Sequence, residues 1–327
     1  AFIEIFTMNT KKICVVGVGE WGKNHVATLS DLGALAGIVE SDTEILNRYL
    51  KIYPDIKYFS DIRDAIAINT FDGFTVATPA ETHFDIAKCI IEAGKPVLVE
   101  KPLTLSIQEA EKLVALSKAN EVALLVGHVL LFHPAIRKIK EIISGDRIGK
   151  IQYVYSNRLN LGQVRTEENV FWSLAPHDIA IFQYLIEEYP KKISSTGSSF
   201  LQAGIQDLTM THLKYGNGVE GHIFVSWLHP FKEHRLVVVG SEGMITFEDT
   251  VKGRPLKIYS KKFDFKNGIP KKVDGPVELV HFENKMPLTA EMEYFIDNLN
   301  NKNLKTANVH QALDVIKILV EASGQIN

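Results

Sequence analysis

The chain has little cysteine and no long apolar run. Its 327 residues include two cysteines, Cys14 and Cys89, each inside an apolar segment, so we expect two buried thiols and no disulfide framework. No apolar run reaches the ~18 residues that a membrane-spanning helix needs. These absences argue against a disulfide-stabilised secreted protein and against a membrane protein, and they favour a reducing cytoplasm.

The chain also lacks an excess of either charge. Its 36 basic and 39 acidic residues give a net charge of −3, which predicts neither nucleic acid nor an anionic membrane as a partner. Because His-x-x-x-His and paired cysteines are both missing, no metal is expected. Ala1–Thr7 has no basic region before its apolar residues and does not resemble a signal peptide, and Met8 is a candidate natural start.

What the sequence does contain is a glycine-rich turn between an apolar strand (residues 12–17) and a helical pattern that ends at Gly33. Gly-x-Gly-x-x-Gly in this setting is typical of dinucleotide-binding domains. Its first glycine allows a tight turn, the second lets the backbone approach a pyrophosphate, and the third lets helix pack on strand. The residues predicted to hold the cofactor here are Gly17, Gly19, Glu20, Trp21 and Gly22.

The next strand ends in an acid, Glu40, which lies 18 residues after Gly22. A carboxylate near this spacing accepts hydrogen bonds from the ribose hydroxyls and repels a 2′-phosphate, so NAD is favoured over NADP. A second interpretation is that Glu40 adds charge at the start of the following helix, where Ser41 and Glu44 form a plausible capping box. The two interpretations are compatible.

Strands and helices continue to alternate up to a sixth strand at 122–126, which predicts a doubly wound parallel sheet, the α/β Rossmann fold, over residues 1–127. Thr78 and Pro79 interrupt the fourth strand at its carboxyl end, where such sheets open onto their ligand crevice. We predict that both line the cofactor site. His83, in the first turn of the next helix, is a further candidate, although a first-turn histidine is more often a cap or a packing residue.

After residue 127 the pattern changes to a second domain, residues 128–327, with an α+β composition. We expect helices near 134–144, 173–187, 288–300 and 308–322, and strands at 150–157, 208–215, 219–227, 236–240 and 244–247. The turn at 216–218 and the alternation around it predict an antiparallel hairpin. Residues 252–278 are rich in Lys, Gly and Pro and are expected to form an exposed, mobile loop.

Two stretches carry candidate catalytic residues. Glu100 and Lys101 end the fifth strand, and both are predicted to bind the cofactor. Lys101 is also a candidate catalytic residue, because a lysine there either contacts substrate and cofactor or is a surface lysine paired with Glu100. His177 lies in the helix predicted at 173–187, with Asp178 turned ~100° away from it. Histidine is the better general base of these two because its ordinary pKa is near neutrality.

A polar stretch after the strand at 150–157 is a candidate substrate site. Hydrogen-bonding side chains and two arginines suit a polyhydroxy, phosphorylated ligand, although a solvated loop is the more ordinary interpretation. The predicted substrate-binding residues are Asn157, Arg158, Asn160, Arg165, Trp172, Ser173 and His177.

Taken together, the glycine-rich turn, Ala77-Thr78-Pro79 with His83, Glu100-Lys101-Pro102-Leu103 and the histidine-bearing helix resemble the glucose–fructose oxidoreductase/inositol dehydrogenase (Gfo/Idh/MocA) family along essentially the whole chain. The resemblance implies a Rossmann domain followed by an α+β domain with an open-faced, largely antiparallel sheet. It also implies homodimers or homotetramers formed through that sheet. The implied activity is the oxidation of a sugar or cyclitol hydroxyl by NAD(P).

Family members often carry Asp-x-Gly-x-His on the catalytic helix, and Ser173 stands here in place of the aspartate. The chain instead resembles the branch of UDP-N-acetylglucosamine 3-dehydrogenases and UDP-N-acetylglucosaminuronate dehydrogenases. This implies oxidation of the 3-hydroxyl of a UDP-N-acetyl-hexosamine or its uronate, with His177 as the base and Lys101 on the reacting oxygen. The alternatives are a dehydrogenase of a free sugar, sugar phosphate or cyclitol, and a non-catalytic protein that senses NAD or sugar.

Overall fold

The computed structural model describes residues 11–326, and the predictions for Ala1–Thr7 and Met8 therefore lie outside the described residues. The chain forms two compact units. One contains residues up to Val129 together with Met286–Ile316, and the other contains Leu130–Lys285 and the chain from Lys317 onward. The predicted second domain, 128–327, is thus corrected, because the segment Met286–Ile316 packs with the first unit.

The first unit is built on a six-stranded parallel sheet in the order β3-β2-β1-β4-β5-β6. Its strands are β1 (Ile13–Val16), β2 (Leu35–Val39), β3 (Lys57–Phe59), β4 (Gly73–Val76), β5 (Val97–Glu100) and β6 (Leu124–Gly127). Every residue of the central strands β1, β4 and β5 is buried, as expected for a parallel sheet covered by helices on both faces, and so is every residue of the edge strand β6. The doubly wound fold predicted from the sequence is confirmed.

Helices connect these strands and extend the unit. They are α1 (Gly22–Asp31), α2 (Thr43–Ile52), α3 (Ile62–Ala67), α4 (His83–Glu92), α5 (Ile107–Asn120) and α8 (Pro287–Asp297). Helix α8 returns late in the chain and packs against α1. Gly73 makes room for Phe295 of α8 and for Leu299, which follows the helix. A Cβ at Gly73 would lie 2.7 Å from Leu299 Cδ2 and 3.2 Å from Phe295 Cζ. This close packing explains why Met286–Ile316 belongs to the first unit.

The second unit contains an eight-stranded mixed sheet in the order β16-β13-β12-β11-β7-β10-β9-β8. Strands β7 and β10 pair in parallel, and the other neighbouring strands pair antiparallel. The elements are α6 (Pro134–Ser144), β7 (Ile151–Leu159), α7 (Val170–Ile186), β8 (Lys192–Ser198), β9 (Leu208–Lys214), β10 (Glu220–Ser226), β11 (Glu233–Gly240), β12 (Met244–Glu248), β13 (Leu256–Tyr259) and β16 (Val277–Val280). Helix α9 (Val309–Ile326) begins in the first unit and ends in the second.

The prediction of a loop at 252–278 is wrong, because this segment forms strands. Strand β13 joins the large sheet and buries Leu256 and Ile258 on alternate positions. A separate hairpin pairs β14 (Lys262–Lys266) with β15 (Ile269–Val273). Its turn residues Asn267 and Gly268 have positive φ angles of 51° and 76°, the conformation that Asn-Gly favours in hairpins. The Asn-Gly pair was therefore a signal in the sequence for this hairpin.

Helix α7 begins earlier than the predicted start at Ser173. Asn169 caps it, because its side-chain oxygen accepts a hydrogen bond from the backbone N–H of Trp172 at 3.1 Å. Pro176 then lies inside the helix, where its missing N–H removes one backbone hydrogen bond. A proline is tolerated in the first turn of a helix, but Pro176 lies beyond the first turn of α7.

Two expectations about the interior concern cysteine and membranes. Cys14 is buried, and burial raises the pKa of its thiol, whereas Cys89 is only half-buried, so the expectation of two buried thiols is wrong for Cys89. Both are unpaired thiols. Among residues 11–326, no helix combines the length and the apolar character needed to cross a membrane.

The packing of α7 on the large sheet gives a first prediction. A Cβ at Gly221 in β10 would lie 2.8 Å from Phe182 Cε2 of α7 and 3.1 Å from Val154 O. We expect Gly221→Ala to lower the free energy of unfolding by about 1–3 kcal/mol, the usual effect of overpacking. The same change at exposed Gly324, where a Cβ would meet no atom within 4 Å, should stabilise α9 slightly. Denaturant unfolding would measure both, and equal effects would contradict the described packing.

Candidate active site

The glycine-rich turn follows β1 and leads into α1, and each glycine has its own reason to be there. Gly17 has a φ of +82°, a conformation that L side chains rarely adopt. A Cβ at Gly22 would lie 2.0 Å from Gly17 O, so only glycine lets the helix approach the turn this closely. At Gly19 a Cβ would meet nothing within 4 Å, and its backbone therefore borders open space.

This turn fits a dinucleotide. Backbone next to open space and before a helix N-terminus is where a pyrophosphate is held in Rossmann folds. Gly19 would provide the close backbone approach, while exposed Glu20 and Trp21 border the same turn. When bound, a nicotinamide dinucleotide supplies a hydride acceptor or donor that no amino-acid side chain can replace.

Glu40 follows β2 and is tied to the glycine-rich turn. Its Oε2 accepts a hydrogen bond from the backbone N–H of Val18 at 2.9 Å, and its Oε1 accepts one from Asp42 N–H at 3.0 Å. The cap of α2 is Asp42, whose carboxylate accepts from Glu44 N–H and Ile45 N–H, so the capping box predicted with Ser41 is corrected by one residue. Glu40 is thus held beside the turn, as a ribose-binding carboxylate requires.

His83 was a candidate cofactor ligand, but its imidazole lies between two backbone carbonyl groups. Its Nε2 lies 2.9 Å from Thr78 O, and its Nδ1 lies 2.8 Å from Pro102 O. Both ring nitrogens are thus engaged with backbone carbonyls, and the imidazole is almost fully buried. The cofactor contact predicted for His83 is therefore corrected: the ring joins the segment after β4 to the segment after β5. Thr78 and Pro79 remain at the carboxyl end of β4, with Thr78 Oγ1 accepting from Thr82 Oγ1 at 2.7 Å.

Glu100, the last residue of β5, is the centre of a buried hydrogen-bond network. Its Oε1 accepts from Trp21 Nε1 at 2.6 Å and lies 2.9 Å from His25 Nε2. Its Oε2 accepts from the backbone N–H of Lys101 at 3.1 Å. Gly127, opposite it on β6, has to lack a side chain, because a Cβ would lie 2.8 Å from Glu100 Cδ. One carboxylate therefore connects the glycine-rich turn, α1 and the Lys101 backbone.

These contacts decide the charge of Glu100. Burial raises the pKa of its carboxyl group, but the hydrogen bond and charge of His25, together with the N–H donors of Trp21 and Lys101, hold that pKa below its ordinary value. His128, which follows β6, is also buried, and burial lowers its pKa to about 4. At neutral pH the group therefore contains an ionised Glu100 and an uncharged His128. Lys101 is half-buried at the carboxyl end of β5, and its peptide bond to Pro102 is cis.

In the second unit, His177 and Asp178 lie next to each other on α7 but have different surroundings. Asp178 is 3% exposed and binds Arg158 of β7 through two contacts, 2.7 Å from Oδ2 to Nε and 3.1 Å from Oδ1 to Nη2. His177 is half-buried. The rotation of ~100° per helical residue separates the two side chains, as the sequence predicted.

The role predicted for Arg158 is corrected by this ion pair. Its Nε and Nη2 are paired with Asp178 between the sheet and α7, so the guanidinium has a structural partner in place of the predicted ligand. Asn157 points to the other face of the sheet, because neighbouring strand residues alternate, and it donates to Glu233 Oε1 at 2.8 Å. Asn157 and Arg158 therefore do not form one ligand site.

The remaining predicted substrate residues are spread over the segment after β7 and the start of α7. Arg165 is exposed, and its Nε lies 3.3 Å from Glu168 Oε1. Asn160 is half-buried. Trp172 donates from its indole N–H to Ser323 Oγ at 2.8 Å. Ser173 is buried one helical turn before His177, so these two share a face of α7.

Three buried groups in the first unit were not assigned any role from the sequence: His25, His128 and Glu291. A signal for the first existed, since His25 shares a helix face with Gly22, Val26 and Leu29, all buried. Glu291 lies beside the buried Met292 on α8, but helical periodicity does not show what a carboxyl group would face there. Among residues 11–326, no three His, Cys, Asp or Glu side chains are grouped so as to hold a metal ion.

The fold and the glycine-rich turn define a dinucleotide-binding protein. The family model for the oxidoreductase family with an NAD-binding Rossmann fold matches residues 11–128, and the model for the Gfo/Idh/MocA C-terminal domain matches residues 136–246. The chain belongs to the Gfo/Idh/MocA oxidoreductase family, which confirms the resemblance seen in the sequence.

Relatives within this family act on different substrates. The UDP-N-acetylglucosamine 3-dehydrogenase of Acidithiobacillus ferrooxidans is 24% identical over 86% of this chain and 87% of its own. Its crystal structure aligns with a TM-score of 0.84 at 22% identity, over 96% of this chain and 97% of that one. The NAD-dependent scyllo-inositol 2-dehydrogenase of Bacillus subtilis is 27% identical over 77% of both chains. The NADP-dependent D-xylose 1-dehydrogenase of Haloarcula marismortui is 24% identical over 74% of this chain and 73% of its own.

The corrected role of Arg158 leads to a second prediction. Removing one partner of a buried ion pair leaves an uncompensated charge, so Arg158→Gln should lower the free energy of unfolding by about 3–5 kcal/mol. The matched control is Arg165→Gln, which breaks an exposed pair and should change it by less than about 1 kcal/mol. Urea unfolding would compare the two. A stable Arg158→Gln protein that had lost only affinity for a phosphorylated substrate would restore the original assignment.

Proposed function

We propose that this protein oxidises a secondary hydroxyl of a sugar, with NAD as the hydride acceptor. The observation that carries the proposal is the grouping of the glycine-rich turn, Glu40 and Glu100-Lys101 at the carboxyl ends of β1, β2 and β5 in one parallel sheet. That edge is where ligands bind in doubly wound folds. Family membership supports the same class of reaction.

The substrate we propose is a UDP-linked N-acetyl-hexosamine or its uronate, oxidised at the 3-hydroxyl. Support comes from the similarity to a UDP-N-acetylglucosamine 3-dehydrogenase over most of both chains. Ser173 supports it as well, since it replaces the aspartate of the Asp-x-Gly-x-His pattern. Arg165, exposed after β7, remains a candidate for the diphosphate now that Arg158 is engaged with Asp178.

Two residues are proposed to act on the reacting hydroxyl. His177 takes the hydroxyl proton, since histidine is a common general base and this imidazole is only half-buried. Lys101 binds the same oxygen with its ammonium group and stabilises the charge that develops as the proton leaves. Glu100 fixes the backbone from which the Lys101 side chain extends. Ser173 leaves His177 without the carboxylate that many relatives place one turn earlier.

A second candidate keeps the chemistry and changes the substrate to a free sugar, sugar phosphate or cyclitol. The similarity to a scyllo-inositol dehydrogenase, 27% identical, favours it. A non-catalytic protein that senses NAD or sugar is a third candidate. The presence of both Lys101 and His177 argues against it, because a sensor needs no base.

A substrate panel with NAD, followed by NADH absorbance, tests the proposed activity. It should contain UDP-N-acetylglucosamine, its uronate, inositols and free aldoses, and we expect turnover with the UDP-sugars. Lys101→Ala and His177→Ala should each lower kcat by about 10²-fold or more, while NAD affinity changes little. Lys118→Ala, an exposed lysine of α5, is the matched control. NAD binding without turnover of any sugar would favour the sensor, and turnover of inositol alone would favour the second candidate.

We further propose that NAD is preferred to NADP because Glu40 repels a 2′-phosphate. Glu40→Gln keeps an oxygen acceptor for Val18 N–H but removes the charge, so it should narrow the preference by about tenfold, equivalent to ~1.4 kcal/mol. The control is Glu44→Gln, an exposed acid in the first turn of α2. Titrating both dinucleotides into the three proteins measures the preference. An unchanged preference in Glu40→Gln would remove Glu40 from the specificity site.

The expected homodimer or homotetramer also remains a proposal, with the large sheet as its interface. Helix α7 packs on one face of this sheet, against β7, β9 and β10. The other face carries the stacked rings of Tyr155 and His222, 5.1 Å apart, and Met210, which is 51% exposed. An aromatic and apolar sheet face of this kind suits burial against a second copy.

A further inference from the structure

Helix α8 carries a carboxyl group into the interior of the first unit. Glu291 is fully buried, and in the described part of the chain neither of its side-chain oxygens has a hydrogen-bond partner. Met292 and Phe295 of the same helix are buried as well. A charged carboxylate in such a place would lack both water and donors, so the neutral acid is strongly favoured.

Glu291 has Glu100 as an electrostatic neighbour. Burial, and after it the negative charge of Glu100, raise the pKa of Glu291 well above its ordinary value. The surroundings of Glu100 are the opposite, because Trp21, His25 and the Lys101 backbone all direct N–H groups at its oxygens. Two carboxyl groups that influence each other in a buried setting share their protons unequally, and here every donor favours the charge on Glu100.

The other titratable groups near Glu100 come from three elements. His25 lies on α1, which packs against α8, while Lys101 follows β5 and His128 follows β6. Burial lowers the pKa of His128 to about 4, and the charges of Glu100 and Lys101 act on it in opposite directions. His128 is therefore uncharged near pH 7. It therefore cannot balance a second negative charge beside Glu100.

We propose that Glu291 makes the Glu100-Lys101 end of β5 sensitive to rising pH: its buried, unpartnered carboxyl group is neutral near pH 7 and leaves the negative charge on Glu100, and it ionises as the pH rises. Glu100 can then accept from Trp21, His25 and the Lys101 backbone together. Loss of the Glu291 proton at alkaline pH places a second charge beside Glu100 and weakens this arrangement. The proposal rests on the proposed function only for the statement that this end of β5 serves the dinucleotide and the substrate.

Thermal unfolding of the protein without ligands tests the neutral state directly. Folding raises the pKa of Glu291, so between its ordinary pKa near 4.5 and the raised value the folded protein holds a proton that the unfolded chain has lost. The free energy of unfolding of the native protein therefore falls as the pH rises through this window. Glu291→Gln keeps the shape and cannot ionise. Its Tm should therefore rise relative to the native protein by about 2–4 °C for each pH unit in that window.

The control for the unfolding experiment is Asp297→Asn, which removes an exposed carboxylate from the last residue of the same helix. Its Tm difference from the native protein should stay nearly constant from pH 5.5 to 9. Parallel curves for Glu291→Gln and the native protein would overturn the proposal, since Glu291 would then have an ordinary pKa. A Tm difference that falls with pH would overturn it as well.

Dinucleotide affinity tests how the charge of Glu291 affects the cofactor site. Near pH 7, Glu291→Gln and Glu291→Leu should bind NAD within about threefold of the native protein, because both are neutral. At alkaline pH the native protein should lose NAD affinity and turnover, and Glu291→Gln should lose them only at higher pH. If both folded variants lose NAD affinity at pH 7, Glu291 contributes more than neutrality and the proposal fails. If the native protein binds no NAD at all, the proposed function fails instead, and the unfolding curves still decide the state of Glu291.

Discussion

A buried carboxylate must be surrounded by donors, and in this protein that requirement organises the cofactor-binding unit. Glu100 obtains its donors from three parts of the chain: the indole of Trp21 in the glycine-rich turn, His25 in α1, and the backbone next to it at Lys101. The carboxylate links these three segments to one another by hydrogen bonds. Gly127 completes the arrangement by leaving space for the carboxylate on β6. The lysine expected to contact the substrate is thereby fixed relative to the turn expected to hold the dinucleotide.

Much of this unit could be predicted because its sequence patterns are local. Continuous apolar runs marked the central strands, and Gly17, Gly19 and Gly22 marked the turn by a spacing with a steric reason. The return of the chain at Met286–Ile316 could not be predicted in this way. Contact between α8 and α1 joins residues far apart in sequence, and helical periodicity gives the apolar face of α8 without its partner. For the same reason no role could be predicted for Glu291 from the sequence alone.

The second unit shows how spacing predicts a face but not a contact. The run from Asn157 to Arg165 suggested one polar ligand site, yet alternation along β7 sends Asn157 and Arg158 to opposite faces, and Arg158 is taken up by Asp178. His83 likewise had the position of a cofactor ligand and the contacts of a structural residue. In each case a partner distant in sequence decided the role. The strands within 252–278 were missed because their polar, glycine-rich composition concealed the alternate burial of Leu256 and Ile258.

Each of the two proposed catalytic residues has a buried acid as its neighbour in the sequence. Lys101 and His177 are half-buried, and each is adjacent to an acid that is almost fully buried, Glu100 at 7% exposed and Asp178 at 3%. Each acid is held by cationic or N–H donors, so it fixes the backbone beside the residue proposed to be catalytic. An acidic residue next to a base in sequence therefore need not form a catalytic pair with it. In this protein the strand end at β5 and the middle of α7 both use the acid as an anchor.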